Sequence, residues 1–423
     1  MRILKLTDAV ARRFIARRSS HDAAAEKVSA RILAEVRRHG DAALFRWSKR
    51  LDGLRLTREN LWIGRGKLQA ARRGVSRELL RAIEHAARNI RRVAEQQRPR
   101  PWSVTVEPGV RVAQRVTPLD CVGCYVPGGR FSLFSTLLMT TIPAQVAGVS
   151  RIVAACPKPS PALLAAAEIL GVQEIARIGG AQAIGAFAYG TASIPRVDKI
   201  CGPGNRYVTA AKRLVANDCA IDMPAGPTEV LVLAVPGRST SEKEARFIAA
   251  DLLAQAEHDP DAVALLVTTS APFARVVAAE IALQLRGLPN NNPAWKSLRA
   301  SGAILVAPSV EVAVRFANLV APEHLSIPFG GLPLLEKLTA AGSVFLGPWT
   351  AQPLGDYCSG TNHVLPTSGW ARARGGLNVA DFVKCSSVQE VSRAGLNRLA
   401  PVASQMARAE GLEAHARAVE ARQ

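Results

Sequence analysis

The chain has 423 residues and a formal net charge of +20; 48% of its residues are hydrophobic and 21% are charged. This composition is typical of soluble globular proteins and excludes intrinsic disorder, collagen-like repeats and a small disulfide-stapled fold. The sequence contains no run of about 18 apolar residues free of charge and proline, so no membrane partner is expected. Seven cysteines, an odd number spread over the chain, favour a reducing, cytoplasmic location.

The positive charge is concentrated in the first hundred residues, which hold 26 Lys and Arg against 10 Asp and Glu. The arginines lie at helical spacing between Ala and Leu, and no aromatic residues are interleaved with them to stack on bases. We therefore expect an arginine-rich solvated surface and no nucleic acid partner. Binding of anions or nucleic acid by this segment is the alternative.

Residues 1–100 are predicted to be helical because Ala, Leu, Ile and Val recur every three or four positions. Residues 104–112 alternate and contain a Pro-Gly turn, as in a β-hairpin. From about residue 120, strands alternate with helices, which predicts an α/β fold with mostly parallel sheets. Strands are predicted at 151–155, 174–178, 198–201, 220–222, 229–233, 263–267, 303–306 and 343–346. Helices are predicted at 161–170, 182–189, 207–215, 272–286, 309–319 and in a tail over 386–423.

A further helix is predicted over residues 246–258, with Ser241 before it in a capping-box pattern and a proline after it. Gln255 and His258 are three positions apart, so they share one face of its last turn. Such a pair is a plausible half of a metal site. The alternative is a histidine that only balances the negative end of the helix dipole.

Two further segments carry groups that exchange protons or bind metals. Glu323 and His324 place a carboxylate beside an imidazole just after a predicted helix, and histidine accepts protons near neutral pH. The alternative is that these two residues only interact with the end of the helix and have no catalytic role. The Gly- and Pro-rich loop 355–366 carries Asp356 and His363, and loops with several polar ligands are often functional sites.

His415, on the last predicted helix, is a weaker candidate taken alone. Together, however, the Gln, His, Asp and His side chains named above are nitrogen and oxygen ligands that zinc accepts. The sequence therefore indicates a candidate zinc site assembled from distant segments.

Three glycine-containing turns lie where a predicted strand gives way to a helix, at 125–129, 179–182 and 202–205. Open α/β sheets bind ligands at such positions. Neither a P-loop nor a complete G-x-G-x-x-G motif is present, so these turns alone do not establish a dinucleotide-binding site. Cys121 and Cys124 form a lone C-x-x-C, for which a redox or zinc role is the minor alternative.

Across essentially its whole length the chain resembles the histidinol dehydrogenase family. The matching segments occur in the family's order, and their combination is specific although each piece is weak. They are residues 125–130, 135–136 with 139–140, 179–184, 202–205, 222–227, 251–258, 321–324, 355–356, 360–367 and 410–415.

The resemblance implies an NAD-linked, zinc-dependent oxidation of L-histidinol to L-histidine through a bound aldehyde. It implies one Zn²⁺ per subunit, and a homodimer in which the partner subunit supplies the last metal ligand. The zinc ligands it implies are Gln255, His258, Asp356 and His415. It implies that His324 is the general base and that Glu323 activates water.

The residues that the resemblance implies for substrate binding overlap with the metal ligands. They are Thr228, Gln255, His258, His324, Asp356, His363, Glu410 and His415. Those implied for NAD are Tyr125, Gln182 and Asn205.

The family fold implies two Rossmann-like domains with small helical segments at both ends. The expected boundaries are an N-terminal helical segment at 1–20, a discontinuous first domain at 21–123 and 234–377, a second domain at 124–233 and a helical tail at 378–423.

The sequence departs from the family pattern at Thr228, where Ser is common, and around Phe131. These departures leave open a relative that oxidises another small amino alcohol or diol. A second alternative is a covalent step through a cysteine thiolate, for which Cys201 or Cys358 is available.

Overall fold

The structure is a computed structural model, and it describes residues 1–16, 22–128, 133–224, 226–237 and 242–423. Phe131 and the predicted capping residue Ser241 lie outside this part of the chain.

The described strands, numbered in chain order, are β1 (Arg2–Lys5), β2 (Trp102–Glu107), β3 (Val110–Pro118), β4 (Cys121–Tyr125), β5 (Arg151–Ala155), β6 (Glu174–Ala176), β7 (Lys199–Cys201), β8 (Ala220–Ile221), β9 (Glu229–Ala234), β10 (Val263–Thr268), β11 (Ala303–Val306), β12 (His324–Ile327), β13 (Ser343–Leu346) and β14 (Val383–Val391).

The described α-helices are α1 (Asp8–Ala16), α2 (Ala23–Asp52), α3 (Arg65–Gly74), α4 (Arg77–Gln96), α5 (Phe134–Ala147), α6 (Pro161–Leu170), α7 (Gly180–Tyr189), α8 (Arg206–Val215), α9 (Glu242–Ala256), α10 (Ala271–Leu285), α11 (Ala294–Ala300), α12 (Val310–Val320), α13 (Gly331–Leu335), α14 (Gln352–Tyr357), α15 (Arg393–Ala409) and α16 (Glu413–Glu420). Short 3₁₀ helices cover Trp370–Arg372 and Val379–Phe382.

Local signals fix many helix ends where the sequence predicts them. In α6, the side chain of Ser160 accepts a hydrogen bond from the backbone of Leu163, and Pro161 occupies the first turn. The same helix ends at Gly171, whose φ of 71° is a left-handed conformation that glycine adopts without strain. The helix therefore spans the predicted residues.

Strands β4 to β8 form a parallel sheet in the order β6-β5-β4-β7-β8. One core lies between this sheet and helices α3 to α6, and a second core lies between its other face and α2, α7 and α8. The chain order reverses between β4 and β7, which leaves a crevice at the carboxyl ends of these strands. This arrangement confirms the predicted α/β class.

A second parallel sheet has six strands in the order β1-β11-β10-β9-β12-β13. Its central strand β9 is buried at every residue, as expected for an apolar strand covered on both faces. Helices α9 to α11 pack on one face, and α1, α12 and α13 pack on the other.

The third sheet is antiparallel, in the order β14-β3-β2, and the chain continues from β14 into α15 and α16. We call β2, β3, β14, α15 and α16 the arm. Every residue of β2 is exposed, as are all but the first of β14. The arm therefore has little core of its own.

Packing departs from the expected boundaries in three places. Strand β1 lies within the expected N-terminal helical segment but pairs with β11. Helices α2 to α4 pack on the five-stranded sheet, whereas residues 21–123 were expected to belong with 234–377. Strand β14 lies within the expected helical tail and pairs with β3. Periodicity predicts the type of an element, but long-range pairing decides which element it joins.

The lone C-x-x-C lies on β4. Residues three apart on a strand point to opposite faces, so Cys124 contacts Cys201 on β7, with 3.8 Å between the sulfurs, instead of Cys121. All seven cysteines are free thiols.

None of the helices in the described part of the chain is long and apolar enough to cross a membrane.

Candidate active site

Groups with acid–base chemistry gather at the amino edge of the six-stranded sheet. His324 is the first residue of β12 and lies opposite Val230 of β9, so both strands begin at this edge. Thr228 immediately precedes β9, and Gln255 lies in the last turn of α9, just before β10. These residues therefore lie at the amino ends of the parallel strands, just after helices, as expected for Glu323 and His324.

Glu323 is buried, with only 6% of its surface exposed. Its Oε2 accepts a hydrogen bond from the hydroxyl of Thr228 at 2.7 Å and from the backbone N–H of Glu229 at 2.8 Å. Burial raises the pKa of Glu323 to about 7, although His324 and these two hydrogen bonds oppose the rise. A carboxyl with a pKa near neutral is suited to exchanging protons at working pH.

The ring of His324 is held in one orientation. Its Nδ1 lies 3.1 Å from the backbone carbonyl oxygen of Glu229 and 3.6 Å from Oε2 of Glu323. Because a carbonyl oxygen only accepts, Nδ1 carries a hydrogen, and the neutral ring then presents a lone pair on Nε2. Nε2 is buried and has no hydrogen-bond partner among the described residues, although Oδ1 of Asp356 lies 3.4 Å away.

Charges around His324 favour its protonated form. Burial lowers the pKa of His324, but the carboxylates of Glu323 and Asp356 outweigh burial and raise the pKa to about 9. The imidazole therefore takes up a proton readily and lies between two carboxyl groups that stabilise the resulting charge.

Hydrogen bonds join the side chains that precede β9 with those of α9 and α14. The amide of Gln255 donates to Thr228 Oγ1 at 2.6 Å, and Thr228 in turn donates to Glu323. Gln352 Nε2 donates to Gln255 Oε1 at 2.8 Å and to Asp356 Oδ2 at 3.3 Å. Because Gln352 Nε2 donates to both side chains, the Gln255 oxygen lies close to the carboxylate of Asp356.

Three imidazoles surround Asp356. Burial raises the pKa of Asp356, but His324, His363 and His258 outweigh it, so the pKa lies below its usual value and the group is a carboxylate. Nδ1 of His363 lies 2.8 Å from the backbone oxygen of Asp356, and its Nε2 lies 3.1 Å from Thr136 Oγ1. His258 keeps exposed surface, but the partial loss of water around its ring lowers its pKa and therefore favours its neutral form.

Gln255, His258 and Asp356 fit part of a zinc site. They offer an amide oxygen, a neutral imidazole and a carboxylate, which are ligand types that zinc accepts. Two buried acceptors nearby, Gln352 Oε1 and His324 Nε2, lack hydrogen-bond partners among the described residues, which indicates room for a polar ligand or cation. No group of three or more His, Cys, Asp or Glu in the described ranges is arranged to hold a metal.

The remaining predicted ligand lies elsewhere in the chain. His415 is exposed on α16, which packs against α15 in the arm, and Glu410 is exposed between these two helices. The structure thus brings together Gln255, His258 and Asp356, with His324 and His363, but it does not bring Glu410 or His415 to them within one chain.

The residues predicted to contact NAD lie at the carboxyl edge of the five-stranded sheet. Tyr125 ends β4, and its hydroxyl accepts a hydrogen bond from the backbone N–H of Gly180 at 3.1 Å. Gln182 is fully buried in the first turn of α7. Asn205 caps α8 through its side-chain oxygen, which accepts from two backbone N–H groups of the first turn.

The turn before Asn205 is held by a buried ion pair. Lys212 donates to the carbonyl of Gly202 at 3.0 Å and pairs with Asp222, which accepts from the Gly202 N–H at 2.8 Å. A side chain at Gly202 would collide with the carbonyl of Tyr125, because a Cβ there would lie 2.1 Å from that oxygen. The two turns are therefore packed backbone to backbone.

The cysteine alternative is disfavoured at Cys201. The hydrogen bond with Cys124, together with burial, raises the pKa of the Cys201 thiol well above its usual value. A thiol that stays protonated is a poor nucleophile.

Sequence reasoning missed two side chains that contact the site. Gln352 lies four residues before Asp356 on α14, and this i, i+4 spacing was the signal that places both on one helix face. Thr136, in the first turn of α5, contacts His363 across a gap of more than two hundred residues, for which the local pattern held no signal.

Comparison with known proteins agrees with this geometry. The sequence profile described as histidinol dehydrogenase matches residues 15–423. A histidinol dehydrogenase of Halalkalibacterium halodurans is 48% identical over 92% of both chains, and one of Methanosarcina barkeri is 42% identical over 99% of this chain and 96% of its own. A crystal structure of histidinol dehydrogenase from Elizabethkingia anophelis superposes with a TM-score of 0.93 at 37% identity, covering 100% of this chain and 98% of that one. The chain therefore belongs to the histidinol dehydrogenase family and is an oxidoreductase.

Proposed function

We propose that the protein oxidises L-histidinol to L-histidine in histidine biosynthesis, in the cytoplasm, using Zn²⁺ and two molecules of NAD per turnover. L-Histidinol, two NAD⁺ and water give L-histidine, two NADH and three protons, with a histidinaldehyde bound between the two oxidations. The observation that carries the proposal is the buried Glu323–His324 pair: Nε2 of His324 has no hydrogen-bond partner in the part of the chain that the structure describes, and it lies 3.4 Å from Oδ1 of Asp356.

Gln255, His258 and Asp356 would hold the metal, and His415 of a second copy of the chain would complete the set. When bound, zinc would supply Lewis-acid polarisation and an anchor for substrate nitrogen and oxygen atoms, and NAD would accept hydride. Thr228, His363 and Glu410 would complete the substrate site, and Tyr125, Gln182 and Asn205 would contact NAD.

In the first oxidation, His324 Nε2 takes the proton of the substrate hydroxyl as hydride leaves the carbinol carbon. The base is the neutral ring, in which the Glu229 carbonyl keeps the hydrogen on Nδ1 and leaves Nε2 unprotonated; because the pKa of His324 is about 9, the fraction of this form grows as the pH rises towards that value. The carboxylates of Glu323 and Asp356 stabilise the imidazolium that results.

In the second oxidation, water adds to the bound aldehyde and the hydrate loses a second hydride. Glu323 takes the proton from water, because burial raises its pKa to about 7 while Thr228 and the Glu229 N–H orient its oxygen. After releasing its first proton to solvent, His324 takes the proton of the hydrate hydroxyl as the second hydride leaves.

A homodimer would bring the two halves of the site together. On β2, Trp102, Val104 and Val106 alternate along one face and expose 52%, 48% and 55% of their surfaces. An exposed apolar stripe on an outer strand is suited to burial against another chain. The same arm carries Glu410 and His415, so its docking would bring both towards the partner's metal ligands.

The test is NADH formation by purified protein with L-histidinol, in zinc-replete and zinc-stripped samples. Two NADH per histidinol, loss of activity on stripping and recovery with Zn²⁺ are expected. Absence of turnover in the zinc-replete sample, with metal content confirmed, would refute the proposal. Small amino alcohols and diols without an imidazole serve as controls and should be turned over far more slowly.

A further inference from the structure

A second polar cluster lies at the carboxyl edge of the five-stranded sheet, away from the acid–base residues. Asp52, the last residue of α2, reaches the first turn of α7, where its Oδ2 accepts a hydrogen bond from Gln182 Nε2 at 2.9 Å. Gln182 is fully buried, and its Oε1 has no hydrogen-bond partner among the described residues. A buried, unpaired amide oxygen beside a partly buried carboxylate indicates a place for a ligand with hydroxyl or amine donors.

Backbone approaches this cluster closely from three loops. A Cβ at Gly128, after β4, would lie 2.8 Å from the ring of Pro157, and one at Gly179, after β6, would lie 2.7 Å from it. Pro157 itself follows β5. The ends of three adjacent parallel strands therefore meet around one proline, at the edge where α/β sheets bind dinucleotides.

The charges at this edge oppose one another. Lys158, directly after Pro157, is exposed, and its ammonium lowers the pKa of Asp52, although burial of the carboxyl raises the pKa overall. In dinucleotide-binding folds the residue after the second strand contacts the adenosine ribose: an acidic group binds the 2′-hydroxyl and a basic group binds a 2′-phosphate. Here Lys158 lies in the loop after β5, the second strand of this unit, and the acid comes from the end of α2.

We propose that Asp52, held by Gln182, binds the ribose hydroxyls of the adenosine half of NAD and makes the protein discriminate against NADP. The carboxylate accepts hydrogen bonds from vicinal hydroxyls, whereas a 2′-phosphate would bring a second anion against it. Lys158 alone would attract that phosphate, and Asp52 offsets its charge. This inference rests on the proposed use of NAD and adds the residue that selects the cofactor.

The experiment compares wild type with Asp52→Asn. Asparagine keeps the shape of the side chain and an oxygen for Gln182 but removes the charge. Calorimetry with NAD, NADP, ADP-ribose and 2′-phosphorylated ADP-ribose gives binding constants, and steady-state rates with L-histidinol give kcat/KM for both cofactors. We expect the preference for the 2′-hydroxyl form to fall by about tenfold or more, in both binding and kcat/KM.

Two further variants test the direction of the change in the preference for NAD over NADP. Lys158→Met removes an exposed cation, so it should fold normally, and it should strengthen the preference for NAD because Asp52 is then unopposed. Asp41→Asn is the matched control: Asp41 lies on the same helix and is also hydrogen-bonded, but to Ser193 and Arg58. It should leave the NAD-to-NADP ratio unchanged.

An unchanged ratio in folded Asp52→Asn, with wild type active on histidinol and NAD, overturns the inference and leaves the proposed function standing. A shift in the ratio that appears with whole dinucleotides but not with the ADP-ribose pair also overturns it, because the carboxylate then acts away from the adenosine ribose. Wild type that binds none of the four probes overturns both proposals.

Discussion

The residues around the start of β12 and those of the arm form the two halves of the proposed site, and the two halves are built in opposite ways. Glu323, His324 and Gln255 are buried and joined by hydrogen bonds inside one chain, whereas Glu410 and His415 are exposed on helices that barely contact the rest of the molecule. His258 belongs to the first of these groups and is nevertheless exposed in the single chain. The difference teaches that burial marks only the part of a site that one chain completes. A functional group supplied to another subunit looks, in its own chain, like ordinary surface.

The strongest test of this comparison is to inactivate each half of the proposed site separately. His258→Asn and His415→Asn should each abolish histidinol oxidation, because each removes one proposed metal ligand. Mixing the two proteins under conditions of subunit exchange should restore activity to about a quarter of wild type, since mixed dimers rebuild one intact site of two. Recovery is measured as NADH formation after exchange is verified by mass.

The control for mixing is a pair of variants in the same half, His258→Asn with Asp356→Asn, which should give no recovery. If the first pair also fails although mixed dimers are present, the site is complete within one chain and the arm has another purpose.

Within the buried half, His324→Ala should lower kcat by about 10²–10⁴-fold, the range for loss of a general base. Bound zinc, measured by atomic absorption, should stay near one per chain because His324 is not a proposed ligand. His85→Ala on α4, an exposed histidine, is the matched control and should retain normal kcat. Normal turnover in His324→Ala would remove the base role.

A smaller effect is expected from Thr228→Val, which keeps the shape of the side chain but removes its hydroxyl. Gln255 loses an acceptor and Glu323 loses a donor, so the free energy of unfolding should fall by about 1–3 kcal/mol for an unsatisfied buried polar group. The pKa of Glu323 should rise further, because one of the hydrogen bonds that lowers it is gone.

Chemical denaturation and the pH profile of kcat measure these two consequences. Thr228→Ser keeps the hydroxyl and should resemble wild type in both. Equal behaviour of the Val and Ser variants would show that the hydroxyl is not part of the network.

The smallest effect on the isolated chain is expected on the arm. Val104→Ser with Val106→Ser should change the unfolding free energy of each chain by less than about 0.5 kcal/mol per site, because both side chains are half exposed. Dimer dissociation should instead shift to higher protein concentration, with loss of activity on dilution. Sedimentation at several concentrations checks this. An unchanged dissociation constant of the dimer would show that the apolar stripe on β2 does not contribute to assembly.

Much of the fold was predictable because its signals are local. The helix α6 and the strands β5, β11 and β13 lie where spacing, caps and apolar runs predict them. Strand β1, four residues long, and the highly exposed β14 gave no such signal, because their pairing with β11 and β3 depends on residues hundreds of positions away. The grouping of α2 with the five-stranded sheet was missed for the same reason.

The candidate site divides in the same way. The i, i+3 pair Gln255 and His258 and the adjacent pair Glu323 and His324 were visible as patterns, and the structure places them together. The contact of Thr136 with His363 and the hydrogen bond of Asp52 with Gln182 connect separate elements. No local pattern contains them.

The pairing of β1 with β11 has a consequence for biosynthesis. The strands of the five-stranded sheet all come from residues 121–221, so their pairing can begin while the ribosome is still making the rest, and Val364, Leu377 and Phe382 complete one of its cores later. The six-stranded sheet joins Arg2–Lys5 to Ala303–Val306, and its outer strand β13 emerges later still. Arg2–Lys5 therefore leave the ribosome long before Ala303–Val306, the strand with which they pair, and the catalytic edge of that sheet is complete only after His324 of β12 has been made.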